Sequence, residues 1–301
     1  MRHLRTLQLI SDVARSGSIR RTAERLNITP SALTRQIQEF EQELGTAVFE
    51  RLPHGMRPNA AGELVIRHAR ASLADFERVR SQIADLSGVR RGHVAIACSQ
   101  AFADSVVPDE IRTYRARHPL VSFEVLVRDH LQAVDALLGY EADLALVLQP
   151  PPVPELRMLF ECRQPICALM REDHPLAGQG QLRLRDCLAH PIALPGRSLS
   201  IRHVLDAAVV RLDLPVDVAV ESESFEFLRN YLRREPVISF QVPSGVPAGR
   251  AIRMRPVDGR DLAPMQVVLG QFRGRALSVA AAKFADQVAS NLHQRYELLA
   301  P

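Results

Sequence analysis

The chain has 301 residues, of which 47% are hydrophobic, and a formal net charge of +4 at pH 7. This length predicts two or three domains, and the hydrophobic content excludes a disordered or low-complexity chain. The charge is compatible with an anionic partner but is weak evidence for one. Lys283 is the only lysine, and so strong an arginine bias often reflects genome composition.

Cysteine content and the first residues narrow the class of protein further. The cysteines are too few for a disulfide scaffold, and none lies in a C-x-x-C pair or a zinc-type cluster, so we expect no metal and no cofactor. They are Cys98, Cys162, Cys167 and Cys187. The start of the chain lacks the features of a signal peptide, and no apolar run approaches the roughly twenty residues that cross a bilayer. We therefore expect a cytoplasmic protein with no membrane partner.

The N-terminal pattern predicts three helices. The first covers residues 1–15, and a short second helix covers residues 18–26. The third begins after Thr29, whose side chain suits an N-cap, with Pro30 at its first position, and it ends at Gly45. Its apolar face holds Leu33, Ile37, Phe40 and Leu44. The second and third helices together predict a helix-turn-helix.

The polar face of the third helix has the chemistry needed to read DNA. Short hydroxyls, a guanidinium and an amide are the groups that recognise base edges and phosphates in a major groove. The candidate DNA-binding residues here are Thr29, Ser31, Thr34, Arg35 and Gln38. Any surface helix has a polar face, so the prediction depends on the complete unit of two helices and a basic loop.

Residues 46–58 predict a wing after the helix-turn-helix. Val48 and Phe49 would anchor it, while Pro53 and Gly55 provide turn geometry. Its basic side chains are candidates for phosphate contacts, which supply affinity and register without sequence choice. They are Arg51, His54 and Arg57. The alternative is an ordinary solvated loop.

Residues 59–88 predict one long helix with Asn59 as its N-cap. Its apolar residues follow a repeat of about 3.5 and make one narrow stripe, which favours pairing with a second copy of the helix. The stripe holds Ile66, Ala69, Leu73, Phe76, Val79, Ile83 and Leu86. We expect a homodimer through this segment; packing on the adjacent domain is the alternative. Residues 89–92 form the joint to the next region.

From His93 onward, short apolar runs alternate with helical stretches, which predicts a mostly parallel sheet covered by helices. A first α/β unit ends at Pro150-Pro151-Pro152, and a second follows it. Strands are predicted at 93–98, 122–127, 143–148, 164–170, 191–194, 216–220, 237–241, 250–256 and 265–270. Helices are predicted at 106–117, 131–139, 201–211, 225–234 and 278–297.

Two α/β lobes suggest a ligand cleft, because ligands bind outside the carboxyl ends of the strands in open α/β sheets. Residues 196–200 lead into a helix N-terminus, which favours an anion. With Arg128, Arg197 and Arg202 near the cleft, we expect a small anionic metabolite, although Asp129 and Glu223 leave an amine open. The candidate ligand-binding residues are Ser99, Gln100, Arg128, Gln149, Arg197, Ser198, Ser200 and Glu223.

Several segments resemble the LysR-type bacterial transcriptional regulators. They are G-S-I-x-x-T-A-E-R-L-N-I-T (17–29), S-A-L-T-R-Q-I-Q-E-F-E-Q-E-L-G (31–45), F-E-R (49–51) and A-G-E (61–63). The match is dense at the N-terminus. Over the rest of the chain it depends on the overall order of the elements and on short matching segments. Where this chain has Pro30, the family often has a glutamine that reaches DNA. We therefore expect no such DNA contact from position 30.

The resemblance implies an α/β protein of three parts. These are a winged helix-turn-helix DNA-binding domain (1–58), a linker and dimerisation helix (59–91) and a periplasmic-binding-protein-like effector domain (92–301). Lobe 1 would hold about 92–162 and 268–301, and lobe 2 about 163–267, with crossing strands near 161–164 and 265–270. The implied partners are double-stranded DNA, a small-molecule effector and a second copy of the chain, with family dimers often pairing into homotetramers.

Two other functions are compatible with the sequence. A thiol switch could replace the effector, since Cys162 and Cys167 are close in sequence and Cys98 ends a strand. An enzyme fused to a DNA-binding module is disfavoured, because the chain lacks G-x-S-x-G, P-loop, H-E-x-x-H and G-x-G-x-x-G motifs, so we expect no catalytic residues.

Overall fold

The structure is a computed structural model and describes residues 2–52, 55–86, 92–247 and 252–296. Several predicted features lie outside these ranges: Pro53 and His54 of the wing, the end of the long helix, most of the joint at 89–92, residues 250–251 of a predicted strand and Glu297. The chain folds as two compact units, an N-terminal one that ends near residue 89 and a C-terminal one that follows it.

The N-terminal unit contains the predicted helices and a β-hairpin. Its elements are α1 (Arg2–Ser16), α2 (Ile19–Arg25), α3 (Pro30–Leu44), β1 (Phe49–Leu52), β2 (Gly55–Pro58) and α4 (Ala60–Leu86). The predicted caps are confirmed. Thr29 accepts a hydrogen bond from the backbone N–H of Ala32, and Asn59 accepts one from that of Gly62, at 3.2 Å and 2.8 Å. Gly45 ends α3 in the left-handed conformation at φ 77°.

One apolar cluster holds the N-terminal unit together. Its buried members are Leu9, Ile10, Val13, Ala23, Leu33, Ile37, Val48, Phe49 and Ile66. The prediction was wrong for Leu44, which is 45% exposed, because it lies in the last turn of α3 beyond this cluster. The hairpin is fixed at both ends, since Met56 N donates to Gly17 O at 2.9 Å and Val48 N donates to the Glu41 carboxylate at 2.8 Å.

The C-terminal unit alternates strands and helices, as predicted. Its strands are β3 (Gly92–Ser99), β4 (Val121–Arg128), β5 (Leu144–Leu148), β6 (Leu156–Gln164), β7 (Cys167–Met170), β8 (Ile192–Pro195), β9 (Val218–Ser222), β10 (Ser239–Gln241), β11 (Arg253–Pro256) and β12 (Met265–Phe272). Its helices are α5 (Gln100–Ala103), α6 (Val106–Arg117), α7 (His130–Leu138), α8 (Leu184–Leu188), α9 (Ser200–Leu212), α10 (Phe225–Leu232), α11 (Val279–Tyr296) and the 3-10 helix η1 (Pro243–Gly245).

The strands form two lobes. Lobe 1 contains the sheet β4-β3-β5-β12-β6, in which β3 pairs in parallel with β4 and β5 while β12 is antiparallel to both neighbours. Lobe 2 contains the antiparallel sheet β10-β7-β11 and the parallel pair β8-β9. The prediction of a mostly parallel sheet was therefore right for the first strands of lobe 1 and wrong for β7 and its neighbours.

Three local predictions need correction. The strand predicted at 164–170 is only β7 (Cys167–Met170), because Pro165 has no N–H to donate and separates β7 from Gln164, the last residue of β6. The strand predicted at 216–220 begins two residues later, at Val218. The one-turn helices α5 and α8 were missed because they are too short to produce a recognisable helical period.

Strands β6 and β12 connect the lobes. They pair antiparallel from Met265 opposite Gln164 to Phe272 opposite Leu156. The chain leaves lobe 1 at the end of β6 and enters β7 of lobe 2, and β12 returns it to lobe 1. This agrees with the crossings expected near residues 161–164 and 265–270.

Polar contacts tie α5 of lobe 1 to lobe 2. The Arg229 side chain on α10 is 4% exposed, pairs with Asp104, and donates to the Gln241 side chain and the Gly245 carbonyl at 2.9 Å and 3.2 Å. Ser105 Oγ donates to the Ser244 carbonyl at 2.6 Å. A buried guanidinium with several acceptors is costly to disrupt, because its partners remain desolvated when it is removed.

The replacement Gly62→Ala tests the close packing at the start of α4. A Cβ at Gly62 would overlap the Val48 carbonyl oxygen and approach Pro58 at 3.2 Å. We expect the free energy of unfolding to fall by about 1–3 kcal/mol, the usual cost of overpacking. Urea unfolding followed by circular dichroism measures it. Gly180→Ala is the matched control, since nothing lies within 4 Å of its added Cβ; equal stability of the two variants would contradict the packing.

The replacement Arg229→Met tests the tie between the lobes. It leaves the Asp104 carboxylate of lobe 1 and the acceptors on Gln241 and Gly245 of lobe 2 without their donor, and should lower the free energy of unfolding by about 3 kcal/mol. Arg233→Met on the same helix removes an exposed guanidinium whose hydrogen bond goes to Asn230, and should change it by less than about 0.5 kcal/mol. Urea midpoints measure both. Indistinguishable midpoints would show that the buried contacts do not stabilise the unit.

Candidate nucleic-acid interface and effector cleft

Helix α3 separates an apolar face from a polar one. Leu33 and Ile37 are buried in the core, while Ser31, Arg35 and Gln38 are exposed on the opposite side. The Arg35 side chain is 80% exposed. The predicted face is therefore free of the protein's own interior and accessible to a partner.

Hydrogen bonds divide the polar residues of α3 into two groups. Thr29 caps the helix and lies 3.2 Å from Ser31 Oγ, and Thr34 Oγ1 donates to the Pro30 carbonyl at 2.9 Å, so both threonine hydroxyls are engaged within the first turns of the helix. Arg35 Nε donates to Glu39 Oε1 at 2.8 Å in an exposed pair. Such pairs contribute little stability, so a partner could take the guanidinium from Glu39 at small cost.

The hairpin presents the two predicted arginines differently. Arg51 on β1 is exposed opposite Met56. Arg57 on β2 forms a 3.0 Å ion pair with Glu50, the residue opposite it in the register. A phosphate would therefore compete with a carboxylate at Arg57, whereas the residue that faces Arg51 carries no charge.

A groove beside α3 adds basic groups that the sequence reasoning missed. It has a volume of about 680 Å³ and is lined by the first residues of α1 and one side of α3. His3 and Arg5 lie on its α1 wall, next to Arg35 on the other. The signal was in the sequence, since both basic residues lie at the start of the first predicted helix, but no binding role was assigned to that helix.

Five of the predicted ligand-binding residues meet at one cavity in the C-terminal unit. Ser99, Arg128 and Leu148 end the parallel strands β3, β4 and β5, and Ser198 and Ser200 lie at the start of α9. The full lining is Ser99, Gln100, Ala101, Arg128, Asp129, His130, Leu148, Ser198, Leu199, Ser200 and Phe225. The arrangement follows the rule that strand carboxyl ends share one edge.

The cavity is closed in this structure. Its volume is about 10 Å³, enough for about one water molecule. Gln100 Oε1 accepts a hydrogen bond from Phe225 N at 2.9 Å, which joins the lobes, and Ser99 Oγ accepts one from Leu148 N at 3.1 Å. An effector of metabolite size would require the lobes to separate.

The turn before α9 already holds a carboxylate from the protein itself. Glu223 accepts hydrogen bonds from Ser198 Oγ and, at 3.3 Å, from Ser198 N. Gly196 makes this possible, because a Cβ there would overlap the Glu223 carboxylate. The anion site expected at residues 196–200 is therefore filled from within at Ser198, which the sequence alone did not predict.

Three other residues predicted near the cleft lie apart from the cavity lining. Arg202 is turned into the protein, where it bonds Asp206 and Glu221 at 2.7 Å and 3.1 Å, so it is a structural residue of α9. Gln149 has a left-handed φ of 54°, and its side chain accepts from Gln266 N at 3.0 Å. Arg197 is exposed on the turn before α9.

His130 is the cavity residue that the sequence reasoning overlooked. Its Nδ1 is buried and has no hydrogen-bond partner among the residues that the structure describes. Burial lowers the pKa of His130, Asp129 partly opposes this, and His203 on α9 lowers the pKa further. The signal was its position directly after Arg128 and Asp129 at a strand end.

Within the described ranges, no three side chains of histidine, cysteine, aspartate or glutamate are grouped so that they could hold a metal ion. Over the same residues, no helix is both long enough and apolar enough to cross a membrane.

Comparisons with known proteins identify both units. Residues 4–63 match the family model described as bacterial regulatory helix-turn-helix protein, lysR family, and residues 87–292 match the LysR substrate binding domain. The HTH-type transcriptional regulator CbbR of Sinorhizobium medicae is 32% identical over 178 residues, which are 58% of this chain and 56% of the relative. The chain thus aligns with a little over half the length of this curated relative.

Solved structures share the fold. A full-length OxyR variant from Pseudomonas aeruginosa has a TM-score of 0.71 at 20% identity, covering 96% of this chain and 94% of that one. Full-length CbnR, solved in complex with its target DNA, has a TM-score of 0.63 at 18% identity, covering 95% and 98%. With both family models together covering most of its length, this chain belongs to the LysR family of bacterial regulatory proteins.

Proposed function

We propose that the protein is a sequence-specific DNA-binding transcriptional regulator whose C-terminal unit senses a small-molecule effector. The family consists of transcriptional regulators, and this chain would act as one in the cytoplasm rather than as an enzyme. The proposed division is DNA binding by residues 1–58, pairing through 59–91 and effector binding by 92–301.

The observation that carries the proposal is the exposed polar face of α3. Ser31, Arg35 and Gln38 point away from the core that Leu33 and Ile37 anchor. A capped helix with this face fits a major groove, where a guanidinium can bond a guanine edge and an amide an adenine edge. Arg51 and Arg57 of the hairpin would supply phosphate contacts. The similar fold of CbnR with its target DNA supports this assignment.

We further propose that α4 pairs two chains. Its stripe is buried at Ile66 and Ala69 near the N-terminal core, half-buried at Leu73 and Phe76, and exposed farther along. Val79 is 42% exposed and Ile83 is 58% exposed. Exposed apolar residues at helical spacing favour a partner helix. A dimer would present two α3 helices to two half-sites, and pairing of dimers would give a tetramer.

The effector would bind where the cavity now is. Ser99, Gln100, Arg128, Ser198 and Ser200 line it, with Gln149, Arg197 and Glu223 proposed to join an opened cleft. A ligand changes such an equilibrium only if it binds the two states with different affinity. The open and closed states would differ in their affinity for the effector, because the closed cavity has no room for a metabolite.

The thiol alternative is weakened by the environment of the cysteines. Burial raises the pKa of Cys98, Cys167 and Cys187 to about 12 and also raises that of Cys162. The thiolate is the form that oxidants attack, so a raised pKa suppresses reactivity at neutral pH. Cys98, Cys167 and Cys187 are buried core residues, and Cys162 is partly buried.

The DNA-binding proposal is tested with Arg35→Ala. Losing a base contact of about 1–3 kcal/mol should weaken specific binding roughly fivefold to 150-fold while leaving the circular dichroism spectrum unchanged. The measurement is a footprint and gel-shift titration on the DNA upstream of the gene. Wild-type affinity for the operator in this variant would show that the reading face is misassigned.

Two further variants serve as controls for Arg35→Ala. Glu39→Gln removes the charged partner of Arg35 and should keep or strengthen binding, because it releases the guanidinium from this ion pair. Arg112→Ala removes a similarly exposed arginine, paired with Asp109 on α6, and should leave the footprint unchanged.

Thiol labelling separates the effector and redox proposals. At pH 8, a pKa near 12 leaves about a thousandfold less thiolate than an ordinary cysteine would have. We expect alkylation of the folded protein to be slow and DNA affinity to survive mild peroxide, whereas the urea-unfolded chain should react quickly. Rapid alkylation of one cysteine, with loss of DNA binding, would favour the thiol switch instead.

A further inference from the structure

Two histidines from opposite lobes lie close together, one lining the cavity and one exposed beside it. His130 is the first residue of α7 in lobe 1, and His203 lies one turn after Ser200 on α9 of lobe 2. Their ring centroids are 6.1 Å apart and the planes are inclined by 67°. His130 therefore lies where the predicted effector-binding residues converge, and the exposed His203 imidazole lies next to it from the other lobe.

The unsatisfied nitrogen of His130 points to a missing partner. Native proteins satisfy nearly all buried polar atoms with protein groups or water, so a buried Nδ1 without a partner among the described residues calls for an explanation. Ser99 and Gln100 in the same cavity are already bonded, to Leu148 N and Phe225 N. His130 thus has hydrogen-bonding capacity available for a ligand before any internal bond is broken.

Fixed charges around the cavity nearly cancel. Arg128 and Asp129 are adjacent and of opposite sign, and both line it. Asp129 also accepts a hydrogen bond from Gln132 N at 2.8 Å, as the cap of α7. Glu223 is held by Ser198 at the turn before α9. With these charges offset or engaged, the protonation of His130 decides how positive the cavity is.

We propose that His130, with His203 beside it, forms a proton-linked subsite for an anionic group of the effector, so that a carboxylate binds together with a proton. The inference rests on the proposed effector-sensing function and names the residues that select the effector. The carboxylate would accept a hydrogen bond from His130, with His203 closing on it from the other lobe and Arg128 adding positive charge. Glu223 would keep the anion away from the turn at Ser198.

The sign of the pH dependence follows from the free protein. Burial keeps the pKa of His130 below its usual value of 6.5, so the ring is neutral at pH 7. An anion beside the ring stabilises the imidazolium and raises that pKa, so binding takes up a proton. Affinity should therefore be highest below the free pKa and fall as pH rises through the pKa of the bound form, by up to about tenfold per pH unit.

The test uses the full-length protein with acetate as a minimal carboxylate probe at constant ionic strength. Nuclear magnetic resonance titration of the imidazoles reports the pKa of His130 and His203 with acetate and with chloride. We expect acetate to raise the pKa of His130 and to bind more weakly as the pH increases from about 5.5 to about 8, the range in which histidine titrates. Methylammonium should leave the pKa unchanged or lower it.

Variants separate the subsite from general charge effects. His130→Gln keeps a neutral polar side chain and should abolish the pH dependence of acetate binding, and His203→Gln should reduce it. His293→Gln on α11 changes an exposed histidine and should behave like the wild type. An unchanged His130 pKa in acetate, equal pH dependence in His130→Gln, or preferred binding of methylammonium would each overturn the proposal.

DNA binding distinguishes a failed subsite from a failed function. If the wild type binds DNA and acetate does not change the pKa of His130, the subsite proposal is wrong and the proposal of a DNA-binding regulator stands. If the wild type shows no site-specific footprint, the proposed regulator is wrong whatever the histidines do.

Discussion

The pairing of β6 with β12 is the constraint on which the C-terminal unit depends. These strands pair from Gln164 opposite Met265 to Leu156 opposite Phe272, with one bulge at Leu269 and Gly270, and the chain passes between the lobes on both of them. Because both connections run side by side, a rotation of one lobe about them would leave the connections intact. The polar residues beside this pair are consistent with a hinge, since Gln149 bonds Gln266 and Gln266 bonds Glu161.

Helix starts determine the geometry of both proposed sites. In the N-terminal unit, Thr29 and Pro30 fix where α3 begins, and therefore which side of it Arg35 and Gln38 occupy. In the C-terminal unit, Asp129 caps α7 and so fixes His130 at its first position. A one-residue shift of either start would rotate the following side chains by about 100° and remove them from their sites.

Local signals account for what the sequence predicted well. The caps at Thr29, Asn59 and Gly45 involve neighbours within a few residues, so their residue types were sufficient to place α3 and the start of α4. Strand ends were also informative. Because β3 pairs in parallel with β4 and β5, Ser99 and Arg128 lie at the same edge of the sheet, whatever the arrangement of the two lobes. These features do not require knowledge of distant contacts.

The remaining features depend on contacts between distant segments. The Glu223 carboxylate reaches Ser198 because β9 lies beside β8, and no spacing rule in the sequence encodes that pairing. Arg202 looked like a cleft cation, yet the same sheet pair places it against Glu221. His130 was overlooked because a single histidine does not form a recognisable motif. It becomes a candidate only because its Nδ1 is buried in the folded protein.

Closure of the cavity constrains any mechanism of sensing. Helix α5 is tied to lobe 2 at both ends, through Gln100 to Phe225 N at its start and through Asp104 to Arg229 just after it. An effector that engages Gln100 must take it from Phe225 N, which weakens one end of this tie while the buried guanidinium still holds the other. Opening would then be a rotation about the Arg229 end rather than a complete separation. The free energy for it would come from contacts that the effector makes in the opened cleft and lacks in the closed one.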